Sequence, residues 1–162
     1  MLEVIGKLSA GLVLGLGALG SALGILAAGT AAAGAWAAEG KAGKNLSFQY
    51  IIMVAAPISQ TLYSMILMNG MLTKAATPEN SLLLLGVALG CGIGELFSAW
   101  YQGQIGAAGV RCLNENGGKG FGLLIIALGI IETVGIFAMV FGLSILGKAA
   151  DVAAVAGAAV GK

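Results

Sequence analysis

Glu132 stands in the run Leu128-Gly-Ile-Ile-Glu132-Thr-Val-Gly, with no other charged residue within ten positions on either side. A carboxylate in such a run costs several kcal/mol unless it is protonated or paired, so it marks a path for an ion or a proton. Polar partners stand in two other apolar runs. Ala56-Pro57-Ile58-Ser59-Gln60-Thr61-Leu62-Tyr63 offers hydroxyl, amide and phenol groups within little more than one helical turn. Pro57 also removes an intrahelical bond and can free a main-chain carbonyl. Trp100-Tyr101-Gln102-Gly103 adds a second amide. A lone amide in a membrane helix is usually interhelical glue. Here a carboxylate, two amide oxygens, a hydroxyl and a carbonyl at comparable depth form an all-oxygen cage, which suits a hard cation. One negative charge matches a monovalent ion such as sodium, and Tyr63 serves as a donor that holds Glu132 ionised. Glu95 lies seven residues before Gln102, on roughly the same helix face. It can line a cavity, serve an access route or pack as a protonated acid, and the first reading is preferred.

Composition narrows the alternatives. The 162 residues are 59% hydrophobic and 9% charged with 28 glycines, against about a quarter charged in soluble domains, so the chain reads as an all-α integral membrane protein. Eight bases against seven acids leave no basic stripe, which excludes nucleic acid as a partner. Without histidine, and with Cys91 and Cys112 far apart, neither a zinc site nor a disulfide framework is expected.

The elements that position these residues are four apolar runs at about 8–38, 48–71, 81–112 and 121–146, each longer than the ~20 residues a spanning helix needs. They pair as helical hairpins over 1–72 and 81–147, joined by an external loop at 73–80 and followed by an Ala/Gly-rich tail at 148–162. That tail is too short to cross again and is expected to extend the last helix or to be disordered. Lys7 before an apolar run ending in Ala35-Trp36-Ala37-Ala38 resembles a secretory signal, but the run is about twice the length of a signal core and is kept as a mature span. Both termini then share one side, and the bases divide too evenly to orient the chain strongly.

The hairpins are copies of each other. A shift of 75 aligns Gly11, Leu14, Gly15 and Gly17 with Gly86, Leu89, Gly90 and Gly92, and a shift of 72 aligns Ile58 with Ile130 and Thr61 with Thr133. The second shift places Gln60 opposite Glu132, so one carboxylate remains per doubled unit. Both copies cross in the same sense, unlike inverted-repeat transporters. Glycines at 11, 15, 20 and 24 and at 86, 90 and 94 strip a helix face for close approach of another backbone. Gly15-Leu16-Gly17-Ala18-Leu19-Gly20 also fits the dinucleotide pattern, which has no force inside an apolar helix.

Three motifs, Pro57-x-Ser59-Gln60-x-x-Tyr63, Gln102-Gly103-x-x-x-Ala107-Ala108-Gly109 and Glu132-Thr133, make the chain resemble the proteolipid of V-type rotary ATPases. The likeness is to the four-helix K subunit of the sodium-translocating bacterial kind and covers all four spans. It implies that Glu132 carries the ion, that Gln60 and Gln102 give side-chain oxygens, that Ala56 gives a carbonyl and that Tyr63 hydrogen-bonds Glu132. Ser59 stands where the family has threonine, and Glu95 where it has a small residue. The resemblance further implies a ring of identical copies in the cell membrane, with spans one and three inside. The loops at 39–47 and 113–120 would meet a central stalk in the cytoplasm, and a stator subunit would bring a basic residue to Glu132. The chain itself would be non-catalytic, with no nucleotide site. The nearest alternative is the same rotor protein with protons as its cargo. A small tetraspan channel or transporter is a different class, and it should show a polar stripe along a whole helix face.

Overall fold

The computed structural model describes residues 1–152, 154, 155 and 157. It is all-helical: α1 (Leu2–Lys41), α2 (Gln49–Ala55), a 3-10 turn (Ala56–Ile58), α3 (Ser59–Leu72), α4 (Pro78–Glu115) and α5 (Phe121–Leu146). With α2, the turn and α3 counted as one span from Gln49 to Leu72, four helices among the described residues are long and apolar enough to cross a membrane. The protein is therefore multi-pass. The first and third spans are longer than the apolar runs at 8–38 and 81–112, having 40 and 38 residues. At ~1.5 Å per residue they outreach a ~30 Å hydrocarbon core, so their ends stand in the headgroup region.

Side-chain chemistry fixes the ends. Thr77 caps α4 in extended conformation, accepting from the Asn80 N–H at 3.3 Å, with Pro78 in the first turn where its missing N–H costs nothing. The loop after α1 is closed by Glu39, which is buried: it accepts from Tyr50 Oη at 2.6 Å and from the Ser47 N–H at 2.9 Å. Trp36 Nε1 donates to the Ser47 carbonyl beside it. Past α5 the chain turns back onto the loop after α3. The Val152 N–H donates to the Thr73 carbonyl at 3.1 Å, Asn80 Nδ2 to the Ala150 carbonyl at 3.0 Å, and Lys74 pairs with Asp151 at 2.6 Å. The tail thus neither extends α5 nor crosses again as far as Asp151. Residues 153, 156 and 158–162 lie outside the described part.

The expected glycine face divides in two. Gly20 lies bare against the Leu96 backbone and Gly24 against the Ala99 carbonyl, while Gly103 meets the Gly24 backbone. Gly11, Gly15, Gly86 and Gly90 have open space where a Cβ would stand. The reason is helical phase, because the step of five residues from Gly15 to Gly20 turns the stripe away by about 140° at ~3.6 residues per turn. One half lets α1 and α4 approach inside the chain, and the other faces outward.

The interior is layered. One apolar cluster, with Val13, Leu67, Leu84 and Leu146, fills the end near the termini. Another, with Ala32, Met53, Val110 and Leu113, fills the end near the loops after α1 and α4. Between them lies a band of buried polar residues, Gln60, Ser64, Glu95, Ser98 and Gln102.

Candidate ion-binding site

The break at Pro57 sets the local geometry. The missing N–H converts one turn to 3-10 form, and the carbonyl of Met53 rests against bare Gly106, where a Cβ would stand 2.6 Å away. Pro57 itself is buried against Gly24 of α1. The turn delivers Ala56, Ser59 and Gln60 together: Ser59 Oγ is 3.1 Å from the Ala56 carbonyl and 3.0 Å from Gln60 Oε1. Three of the expected oxygen donors therefore touch on one side of the site.

Glu132 forms the other side. The Tyr63 hydroxyl donates to Glu132 Oε1 at 2.8 Å, and Gln102 Nε2 faces Glu132 Oε2 at 3.5 Å. The same Gln102 nitrogen donates to the Leu128 carbonyl at 3.2 Å, which fixes the amide's orientation. Its oxygen, Gln102 Oε1, is buried and has no hydrogen-bond partner among the described residues. A buried acceptor without a donor is an expense that a cation removes. Glu132 is half-buried at the bundle surface, whereas Gln60 and Gln102 are fully buried behind it.

The two sides meet through a residue that sequence reasoning missed. Ser98 Oγ accepts from Gln60 Nε2 at 3.0 Å and donates to the Ile131 carbonyl at 3.0 Å, so it ties the second, third and fourth spans at the level of Glu132. Its signal was present, because Ser98 precedes Gln102 by four residues and so shares its face of α4. Gln60 consequently turns its nitrogen to Ser98 and its oxygen to Ser59, and among the described residues it makes no hydrogen bond to the Glu132 carboxylate.

Glu95 departs from the preferred reading as a cavity-lining acid. It is 0% exposed, both carboxyl oxygens lack a hydrogen-bond partner among the described residues, and Oε2 lies 2.6 Å from where a Cβ on Gly135 would stand. Gly135 makes room for it, beside Ser98 and Gln60. Because the carboxyl makes no bond that its removal would break, Glu95→Met is expected to leave stability unchanged or to raise it by about 1 kcal/mol. Thermal unfolding of the purified protein reads this out, and a clearly lowered midpoint would assign the carboxyl a bonding role.

Among the described residues no three His, Cys, Asp or Glu side chains gather as a metal cluster. What gathers is one carboxylate with neutral oxygens, a set that can neutralise a single positive charge and replace part of its hydration shell. No curated protein matches the chain. Residues 85–145 match the family model of the ATP synthase C subunit, a stretch that holds Glu95, Ser98, Gln102 and Glu132. Over its second hairpin, the chain is similar to that rotor protein.

Proposed function

We propose that the chain is a rotor-ring subunit of a V-type ATPase or ATP synthase, carrying sodium across the membrane on Glu132. The reading rests above all on one observation: Ser59 Oγ lies 3.1 Å from the Ala56 carbonyl and 3.0 Å from Gln60 Oε1, so three oxygens gather in the span that Tyr63 joins to Glu132. A proton on Glu132 needs none of them. A cation beside Glu132 uses them as ligands, and Gln102 joins the set once its amide turns over to bring Oε1, which has no donor among the described residues, to the carboxylate. The similarity to the ATP synthase C subunit over 85–145 supports the ring and the carrier role of the fourth span.

In this account Tyr63 holds one carboxylate oxygen and leaves the carboxylate ionised for the ion. A sodium-loaded site is neutral and can face lipid, whereas an empty carboxylate cannot. At the stator, a basic side chain of another subunit displaces the ion into an aqueous path. Rotation coupled to ATP hydrolysis or synthesis elsewhere makes the cycle directional, through a central stalk seated on the loops at 39–47 and 113–120. A channel is disfavoured because buried Gln60, Gln102 and Glu95 sit with Ser64 and Ser98 at one level between two apolar clusters.

Gln60→Ala and Gln102→Ala are each expected to weaken sodium binding by about 1–3 kcal/mol, roughly 5- to 150-fold, while assembly persists. Radioactive sodium retained by the purified assembly at graded concentrations measures this. Unchanged affinity in both variants would return the two amides to the role of interhelical glue.

A further inference from the structure

The hydrogen bonds of Ser98 can run in one direction only. The Ile131 carbonyl accepts and cannot donate, so the single hydroxyl hydrogen of Ser98 goes to it, at 3.0 Å. Toward Gln60 the Ser98 oxygen is then left as an acceptor. It lies 3.0 Å from Gln60 Nε2, where an amide oxygen would face a lone pair and no hydrogen. The amide therefore has no choice of ends. Its oxygen is left to the opposite side, 3.0 Å from Ser59 Oγ, which is itself 3.1 Å from the Ala56 carbonyl. Solvent does not relax the constraint, since Gln60 is 0% and Ser98 1% exposed.

Gln102 shows the contrast. Its nitrogen bonds the Leu128 carbonyl and faces Glu132, but its oxygen has no partner among the described residues, so one end of that amide is held and the other is not. Gln60 is held at both ends. The duplication adds a second indication, because on the 75-residue shift Ser98 corresponds to Leu23 and Gln102 to Ala27. The hydroxyl and the second amide thus belong to the copy whose hairpin carries Glu132.

We infer that Ser98 is a positioning residue for the ion: it fixes the Gln60 amide with its oxygen on the Ser59 side, so that a cation there meets an oxygen and not an N–H. The inference rests on the sodium reading above and adds to it a residue that acts without touching the ion. Remove the hydroxyl, and Gln60 Nε2 becomes a buried donor with no acceptor, a state costly enough to turn the amide over. The nitrogen would then bond Ser59 Oγ or the Ala56 carbonyl, taking oxygens from the ion and setting a donor against it. Plain interhelical glue would instead lower stability and treat Gln60 and Gln102 alike.

Radioactive sodium retained by the purified assembly at graded concentrations tests this. Ser98→Ala should weaken binding by roughly 3- to 10-fold. That loss should disappear in a chain already carrying Gln60→Ala, where no amide is left to position, and should multiply with the loss from Gln102→Ala. Ser98→Thr and Ser98→Val have the same shape and differ by the hydroxyl, so the threonine variant should bind more tightly than the valine variant by a similar factor, whatever their added bulk costs. Binding by Ser98→Ala equal to that of the unchanged chain, or a loss that multiplies in full with that of Gln60→Ala, would overturn the positioning role and leave the sodium reading in place. No retention of sodium by the unchanged assembly at any concentration would overturn that reading and this one with it.

Discussion

Glu132→Gln is expected to give a protein that assembles but moves no sodium. The amide has nearly the shape of the carboxylate, and its oxygen can still accept the Tyr63 hydroxyl that now lies 2.8 Å from Glu132 Oε1. The packing of α5 is therefore kept. What is lost is the single negative charge of the site, since the remaining groups, Ala56, Ser59, Gln60 and Gln102, are neutral. An uncompensated sodium ion in a site of low dielectric costs several kcal/mol even with oxygen ligands, which is enough to empty it. Sodium uptake by vesicles carrying the complete rotary complex should fall to the background of protein-free vesicles, while the amount of assembled protein stays level. Uptake at the unchanged rate would remove Glu132 from the mechanism.

Gly103→Val should act on the fold itself, with an effect as large. The bare Cα of Gly103 lies against the backbone of Gly24, so an added side chain meets main chain, which has no rotamer to yield. Relief requires that α1 and α4 separate. That movement also withdraws Gly24 from Pro57 and loosens the 3-10 turn that presents Ala56 and Ser59. Overpacking of this kind costs about 1–3 kcal/mol where side chains can shift, and more where only backbone can. Most of a marginal stability is then gone. The folded yield in membranes should collapse, and sodium binding with it. Gly129→Ala, at an exposed position on α5 with nothing within 4 Å, is the matched control and should accumulate normally. Normal accumulation of Gly103→Val would contradict the close α1–α4 packing.

The residues proposed to carry the chemistry are legible because a membrane makes polar groups conspicuous. Glu132, Gln60 and Gln102 stand out against apolar runs, and Pro57 announces a break in its helix. The relations between spans were less legible. Ser98 bridges Gln60 to Ile131 only because α3, α4 and α5 meet at one height, and a serine in a membrane helix is too common to signal that by itself. Glu39 reads as part of a polar loop, yet it is buried, since Tyr50 and the Ser47 amide fold over it. A carboxylate near a helix end is ordinary in sequence, and only tertiary closure makes it structural. The glycines gave their spacing but not their phase: a five-residue step rotated half the stripe out of the interior. Glu95 was visible as an acid in a span, while the room Gly135 leaves for it depended on the pairing of α4 with α5.

The central claim, that Glu132 holds sodium in exchange for a proton, is tested most directly by the labelling of Glu132 with a hydrophobic carbodiimide. The reagent reacts with a protonated carboxyl, and a bound cation holds the group ionised. Sodium should slow the labelling of Glu132, identified by mass analysis of the modified peptide, and potassium at matched ionic strength should not. Raising the pH at fixed sodium should slow it further, because protons and sodium compete for one group. Labelling that falls with pH yet ignores sodium would contradict the sodium assignment and leave Glu132 as a proton carrier.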